Sequence, residues 1–375
     1  MTIAVNACFL DEHHLTNNGN FIIECFSRLA KKFPQHQFLF ISDKGINQQY
    51  ISANNILPVI AGPKIKNPLL LQYWLNFKVP PILRKHKADV FVSIGNCSLR
   101  AKVPQCLVIN ELSFLHSPQF FTRNWFRFYK KNTPAFLNKA TIITTAAQFL
   151  KQDIIDTYKL NAGKIDVVYQ GVNKIFTQVD WQQKESIKEA YTSGKEYFLY
   201  SGEINSNKNL VNLLKAFSFF KKRQKSNMQL VLATTTVFTD VAFKQSLAAY
   251  KYRDEIMLLD KLPPETLAAI TAAAYALVYP VFYDGFCTPA LEAMQVGVPV
   301  ITSNKAAMPE ICGNAALYIN PDDFNDIADK MMLLFKDENK RNELIGSGLQ
   351  QAAKYNWPVT TELLWQAIEK CNTAV

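Results

Sequence analysis

The chain has 375 residues, 49% of them hydrophobic and 19% charged, a globular composition with material for two domains rather than one. Its net charge is +10, and the excess lies early: the first 170 residues carry 20 Lys+Arg against 9 Asp+Glu and all five His. No apolar run reaches the ~18 residues of a membrane span, and the start "MTIAVNACFLDEHH" lacks the basic and long apolar regions of a signal peptide. Seven Cys without a C-x-x-C pair predict free thiols in a reducing, cytoplasmic setting.

In chain order, short apolar runs rich in β-branched residues alternate with amphipathic stretches. The first half offers "TIAVNACFL", "QFLFIS", "ILPVIAG", "ADVFVSIG", "QCLVINE", "ATIITTA" and "KIDVVYQ"; the second offers "YFLYSG", "MQLVLATT", "EIMLLDKL", "YALVYPV" and "VPVITSN". Most are continuous rather than alternating, as in strands covered on both faces. Helical stretches such as "NFIIECFSRLAKKF" and "NLVNLLKAFSFFKKR" lie between them, so the fold class is α/β with parallel sheets. The polar stretch after "VVYQG" has no apolar period and reads as a linker. The expected domains are 1–172 and 173–358, each a Rossmann-like doubly wound sheet. Pro358 is expected to interrupt the preceding helix, and the final helix, 359–375, can pack back on the first domain.

The stretch "YPVFYDGFCTPALEAMQVGVPVITSN" carries the most chemistry. Asp284 and Gly285 follow a buried strand at its carboxyl end, where open α/β sheets bind ligands. Thr288 is expected to N-cap a helix opened by Pro289 and closed at Gly297. The N–H groups of Phe286, Cys287 and Thr288 then lie beside a positive dipole end, and Glu292 one turn in faces the same crevice. Two carboxylate acceptors flanking such donors suit a polyhydroxylated, phosphorylated ligand. The alternative is local: Asp284 caps a turn and Glu292 only stabilises its helix.

This stretch resembles the signature of family-4 glycosyltransferases, retaining enzymes of the GT-B fold. "YSGEINSNKNLVNLLKAF", "VVYQGVNKIF", "CLVINELSFLHSPQFF", "LTNNGNF" and "YNWP" resemble further segments of that family, so the likeness runs along nearly the whole chain. It implies two Rossmann-like domains facing across a cleft that holds a nucleotide sugar. Glu292 would accept from the ribose, and Asp284 from the donor sugar. The amides of Gly285, Phe286, Cys287 and Thr288 would line the sugar pocket. Gly202 and Lys208 would serve the diphosphate, and Gly19, on the loop after the first strand, would reach it from the other domain. Asn110 and Glu111 stand near the reacting centre. No metal or cofactor is implied: no two Asp are separated by one residue, and the run Asp11–His14 reads as a solvated loop. Fixed N–H groups and one ammonium would stabilise the departing nucleoside diphosphate.

The pattern departs at Asn110, where the family has His, and at Asp284, where Glu is usual. Cys287 replaces a Gly, Asn20 stands where the loop often has Arg, and Asn207 or Glu203 where Arg often precedes Lys208. Three readings follow: an active hexosyltransferase, a catalytically weak GT-B protein that binds nucleotide sugar or partners an active transferase, and a nucleotide-sugar epimerase. The expected donor is GDP-mannose, with a UDP-sugar as runner-up. The acceptor would be a glycan or lipid-linked saccharide in polysaccharide or lipopolysaccharide assembly. A helix over Thr122–Asn132 would set Trp125 among Arg123, Arg127, Lys130 and Lys131, an arrangement that can meet an anionic membrane; the alternative is a core helix with a solvated basic face. The lack of a G-x-G-x-x-G after the first strand argues against nicotinamide chemistry, and the lack of a recognition motif against sequence-reading of nucleic acid.

Overall fold

The structure, a computed structural model, describes residues 1–10, 17–204, 208–238 and 240–374. The chain forms two units, Met1–Gly171 with Asn356–Val375, and Val172–Tyr355. Together the units account unequally for the charge. The first holds 21 Lys+Arg and 11 Asp+Glu, the second 20 of each, so the net +10 belongs to the first.

The first unit is a seven-stranded parallel sheet in the order β3-β2-β1-β4-β5-β6-β7. Its strands are β1 (Thr2–Asn6), β2 (Gln37–Ser42), β3 (Ile56–Ile60), β4 (Val90–Ile94), β5 (Gln105–Ile109), β6 (Ile142–Thr145) and β7 (Ile165–Val167). β4 and β5 are buried along their whole length, which is why they read as unbroken apolar runs. Helix α1 (Asn17–Lys32) covers one face with Phe21, Ile22, Cys25, Phe26 and Leu29. The last helix, Trp357–Thr373, lies on the same face and adds Trp357, Leu364, Trp365 and Ile368 to that core. Pro358 does not interrupt a helix; it sits in this helix's first turn, where a missing N–H costs no bond. Asn356 caps the turn, accepting from Val359 N (3.1 Å).

The second unit is a six-stranded parallel sheet, β10-β9-β8-β11-β12-β13. Its strands are β8 (Tyr197–Ser201), β9 (Gln229–Ala233), β10 (Ile256–Leu259), β11 (Ala276–Tyr279), β12 (Val300–Ser303) and β13 (Ala316–Ile319). β13, "ALYI", was not among the expected strands: it is short and half of it is only partly covered. The polar linker is also partly helical. Trp181–Thr192 forms a helix opened by a capping box, with Asp180 and Gln183 each bonding the other's backbone N–H (2.8 and 3.0 Å).

Candidate functional site

In the second sheet the strand order reverses between β8 and β11, which pair in parallel. Loops leaving the carboxyl ends of two such strands diverge and leave a crevice, the usual ligand site of open α/β sheets. The structure brings Gly202, Lys208, Asp284, Gly285, Phe286 and Cys287 onto this edge, in the segments that follow β8 and β11, with Thr288 opening the next helix. Gly202 leaves β8 with φ +138°, a conformation that side-chain-bearing residues avoid, and a Cβ there would face the Tyr200 and Tyr279 rings.

The two loops are tied by Asn209, which sequence reasoning left without a role. Buried and left-handed (φ 59°), it donates from Nδ2 to Pro280 O (2.8 Å) and Pro321 O (2.7 Å), joining the ends of β8, β11 and β13. Lys208, one residue earlier, is half-buried, and its side chain has no ion pair or hydrogen bond among the described residues. The "Lys-Asn" pair thus divides into a free ammonium and the clasp that fixes its backbone. Asn209→Ala strands the buried Pro280 carbonyl and leaves Pro321 O to Asn212 Nδ2 alone (3.1 Å), and is expected to cost about 2 kcal/mol in urea unfolding. Asn209→Gly relieves the left-handed strain without restoring the bonds, so it should fall between the two.

Asp284 is turned into its own loop. One carboxylate oxygen accepts from the amides of Phe286 and Cys287 (3.0 Å each), and the other from the Tyr279 hydroxyl (2.6 Å). Burial, then the Asp284 charge, push the Tyr279 phenol well above its ordinary range, so it remains a donor. The amides of Phe286 and Cys287 are therefore engaged by Asp284. Thr288 does not N-cap the helix. The helix α1 aside, the decisive helix here is α2 (Thr288–Gln295), whose cap is Cys287, left-handed at φ 62° with no side-chain capping bond. The Asp284 carboxylate, three residues before the cap, holds the amides that lead into the helix; within its first turn Pro289 has no N–H and Ala290 N bonds Cys287 O (3.1 Å). The left-handed cap also accounts for glycine being usual at the position Cys287 occupies. Its thiol is fully buried and desolvation pushes it well up, so it packs rather than attacks. α2 ends as expected at Gly297 (φ 75°), with Val298 N bonded to Ala293 O (2.9 Å) and Gly297 N to Met294 O (3.1 Å).

Glu292 is the opposite of Asp284. It lies one turn into α2, half-buried, and its carboxyl has no partner among the described residues, yet is not sealed from solvent. Desolvation alone pushes its pKa up to about 8. A desolvated, unpaired carboxyl at a ligand crevice is poised to accept hydrogen bonds.

The remaining residues lie in the first unit. Gly19 is buried in the first turn of α1 rather than on a loop. The adjoining Asn18 accepts from Asn110 Nδ2 (2.8 Å), so Asn110 braces the start of α1 against the end of β5. Glu111 is exposed and accepts from the Ser113 hydroxyl (3.0 Å). The helix expected over Thr122–Asn132 runs from Arg123 to Lys139. Trp125 turns inward, stacked on Tyr129 (5.7 Å between centroids) against the core, because its indole finds aromatic neighbours there; Arg123, Arg127, Lys130 and Lys131 are exposed. Asp11–His14, Asn205–Asn207 and their expected roles lie outside the described residues.

Residues 182–351 match the family model described as Glycosyl transferases group 1. The chain carries a group 1 glycosyl transferase domain. O-antigen chain mannosyltransferase B of Escherichia coli is 27% identical over 249 residues, 66% of this chain and 65% of that one. O-antigen chain mannosyltransferase RfbU of Salmonella typhimurium is 28% identical over 260 residues, 67% and 65% of the two chains. The chain thus spans just under two thirds of the length of these curated relatives. Sucrose-phosphate synthase from Thermosynechococcus elongatus superposes with a TM-score of 0.81 at 16% identity, covering 100% of both chains. Two parallel α/β units with this likeness are the GT-B fold. The matched domain contains β8 to β13, and with them Lys208, Asp284 and Glu292.

Proposed function

We propose that this protein is a retaining, metal-independent glycosyltransferase. It moves a hexose from a nucleoside-diphosphate sugar to a glycan or lipid-linked acceptor in cell-surface polysaccharide assembly, at the cytoplasmic face of the membrane. The observation that carries the reading is Glu292: a carboxyl without a partner among the described residues, beside the switch point of a group 1 glycosyl transferase domain. It accepts from the ribose hydroxyls, and Lys208 neutralises the diphosphate. Asp284 shapes the sugar loop with its amides and Tyr279. Asn110 and Glu111 serve the acceptor side. The names of the two relatives favour mannose, hence GDP-mannose, ahead of a UDP-sugar. In a front-side mechanism the departing phosphate takes the acceptor proton, so Asn110 in place of His does not prevent transfer. The exposed Arg123, Arg127, Lys130 and Lys131 supply positive charge for an anionic acceptor.

A second reading, a nucleotide-sugar binder with little turnover, is favoured by one observation: the Asn110 amide is occupied with Asn18. Thermal stability followed during titration with GDP, UDP, GDP-mannose and UDP-glucose tests both. A ligand at 100 times its Kd stabilises by about 2.7 kcal/mol. The expected result is a shift with GDP ligands that disappears in Lys208→Ala. A shift without sugar transfer to any acceptor supports the second reading, nucleotide release without acceptor supports an epimerase, and no shift at all removes the nucleotide site.

A further inference from the structure

The segment 68–85 of the first unit is apolar on two faces. Its inner face buries Leu71, Trp74, Leu75, Val79 and Leu83, and the Trp74 indole donates to Ala61 O (2.6 Å). Its outer face sets Leu69, Tyr73 and Phe77 four residues apart, 78%, 42% and 48% exposed. The rings of Tyr73 and Phe77 stack at 5.4 Å, and a π-helical turn over Trp74–Lys78 carries the stripe onward. A surface helix normally turns polar residues outward, so three large apolar side chains in a row call for a partner. They border a groove of about 390 Å³ whose remaining lining is Gln72, Asn76, Leu99 and Arg100.

The surroundings are basic. Residues 60–102 contain eight Lys or Arg and one acid, Asp89. Lys64, Lys66, Arg84, Lys85 and Lys87 are exposed; Arg100 lies over the Phe77 ring at 4.1 Å and Lys78 over Tyr73 at 5.8 Å. An apolar stripe framed by cations complements a lipid bilayer with negatively charged head groups, apolar below and anionic at its surface. A second copy of the chain fits poorly: a two-fold interface would press the same cationic frame against itself. We infer that the first unit docks on an anionic lipid surface through Leu69, Tyr73 and Phe77, with the lysines of 64–87 among the head groups. This surface differs from Arg123–Lys131, whose aromatic residue faces the core. The inference stands whether or not the chain transfers a sugar.

Cosedimentation with phosphatidylcholine vesicles, with and without phosphatidylglycerol, tests it without nucleotide. The wild type is expected to bind only the phosphatidylglycerol vesicles and to be released by salt. Lys64→Gln with Lys66→Gln should weaken binding about 30-fold at low salt, at roughly fivefold per charge. Leu69→Ser with Phe77→Ser should weaken it by at least ~10-fold. Both replaced side chains are exposed, so an unchanged thermal midpoint separates lost docking from lost folding. Arg123→Gln with Arg127→Gln should change binding by less than about threefold. Failure of the wild type to bind anionic vesicles at low salt overturns the inference. So does retained binding in the Leu69/Phe77 variant, or a dimer in sedimentation that this variant converts to monomer.

Discussion

Glu292→Gln is expected to make the ligand-free protein more stable at alkaline pH and to weaken its hold on nucleotide. The carboxyl is shifted from an ordinary value near 4.5 to about 8 by desolvation, with no compensating partner among the described residues. The folded state therefore holds this proton more tightly than the unfolded chain does. That contribution is fully present below the unfolded pKa and is lost as pH rises through about 8. Solvent reaches the half-buried carboxyl, so the wild type should lose about 2–3 kcal/mol of stability across this window, discounted from the full shift. The Gln variant, with no charge to desolvate, should lose that much less. A ribose bound to the carboxylate reverses the balance, because hydroxyl donors favour the charged form. Nucleotide binding near pH 7 should then release a proton, visible as a binding enthalpy that changes with the ionisation heat of the buffer. Removing charged hydrogen bonds of about 1.5–3 kcal/mol each should weaken binding roughly 10- to 100-fold. If Glu292→Gln binds nucleotide within about threefold of the wild type, the carboxylate does not read the ribose.

The contrast between Glu292 and Asp284 marks where the sequence was readable and where it was not. Continuous apolar runs announced β4, β5, β8 and β11, because strands covered on both faces need no polar alternation. The spacing from Asp284 to Glu292 placed both at the carboxyl end of β11. It could not say which carboxylate was free. That depended on Tyr279 ending its strand with the hydroxyl within reach of Asp284, and on the loop curling its two amides back, which are tertiary facts without a local pattern. Asn209 was hidden for the same reason: its partners, Pro280 and Pro321, lie 71 and 112 residues away. The helix Trp181–Thr192 was missed although its capping box was in the sequence, because Asp180 and Gln183 precede a face too polar to show a period. Trp125 and Phe77 look alike in sequence. Both are aromatic residues near basic ones, and only the packing of neighbouring rings decides that the first faces the core and the second faces solvent.

Gly171→Ala is expected to be among the most damaging single substitutions, near 3–4 kcal/mol of destabilisation in urea unfolding. Gly171 ends the first stretch of the first unit, and a Cβ added there would stand 2.4 Å from Trp357 N, 2.7 Å from Trp357 Cγ and 2.8 Å from the carbonyl carbon of Asn356. Two of these atoms are backbone, so no side-chain rotation clears the clash. Nor can the last helix move easily. Trp357 is buried and meets Phe21 edge-on at 6.3 Å, and the Thr360 hydroxyl donates to Tyr169 O (2.7 Å), two residues before the glycine. Relief requires lifting the start of Trp357–Thr373 from α1, which exposes part of the core those helices share. Gly346 provides the matched control. It lies inside the helix Glu338–Ala352, where an added Cβ meets nothing within 4 Å. Gly346→Ala should therefore stabilise by about 0.5–1 kcal/mol through helix propensity and a less flexible unfolded chain. Opposite signs for the same chemical change would tie the cost at Gly171 to its contact with Trp357; equal, small effects would mean that the last helix can shift freely.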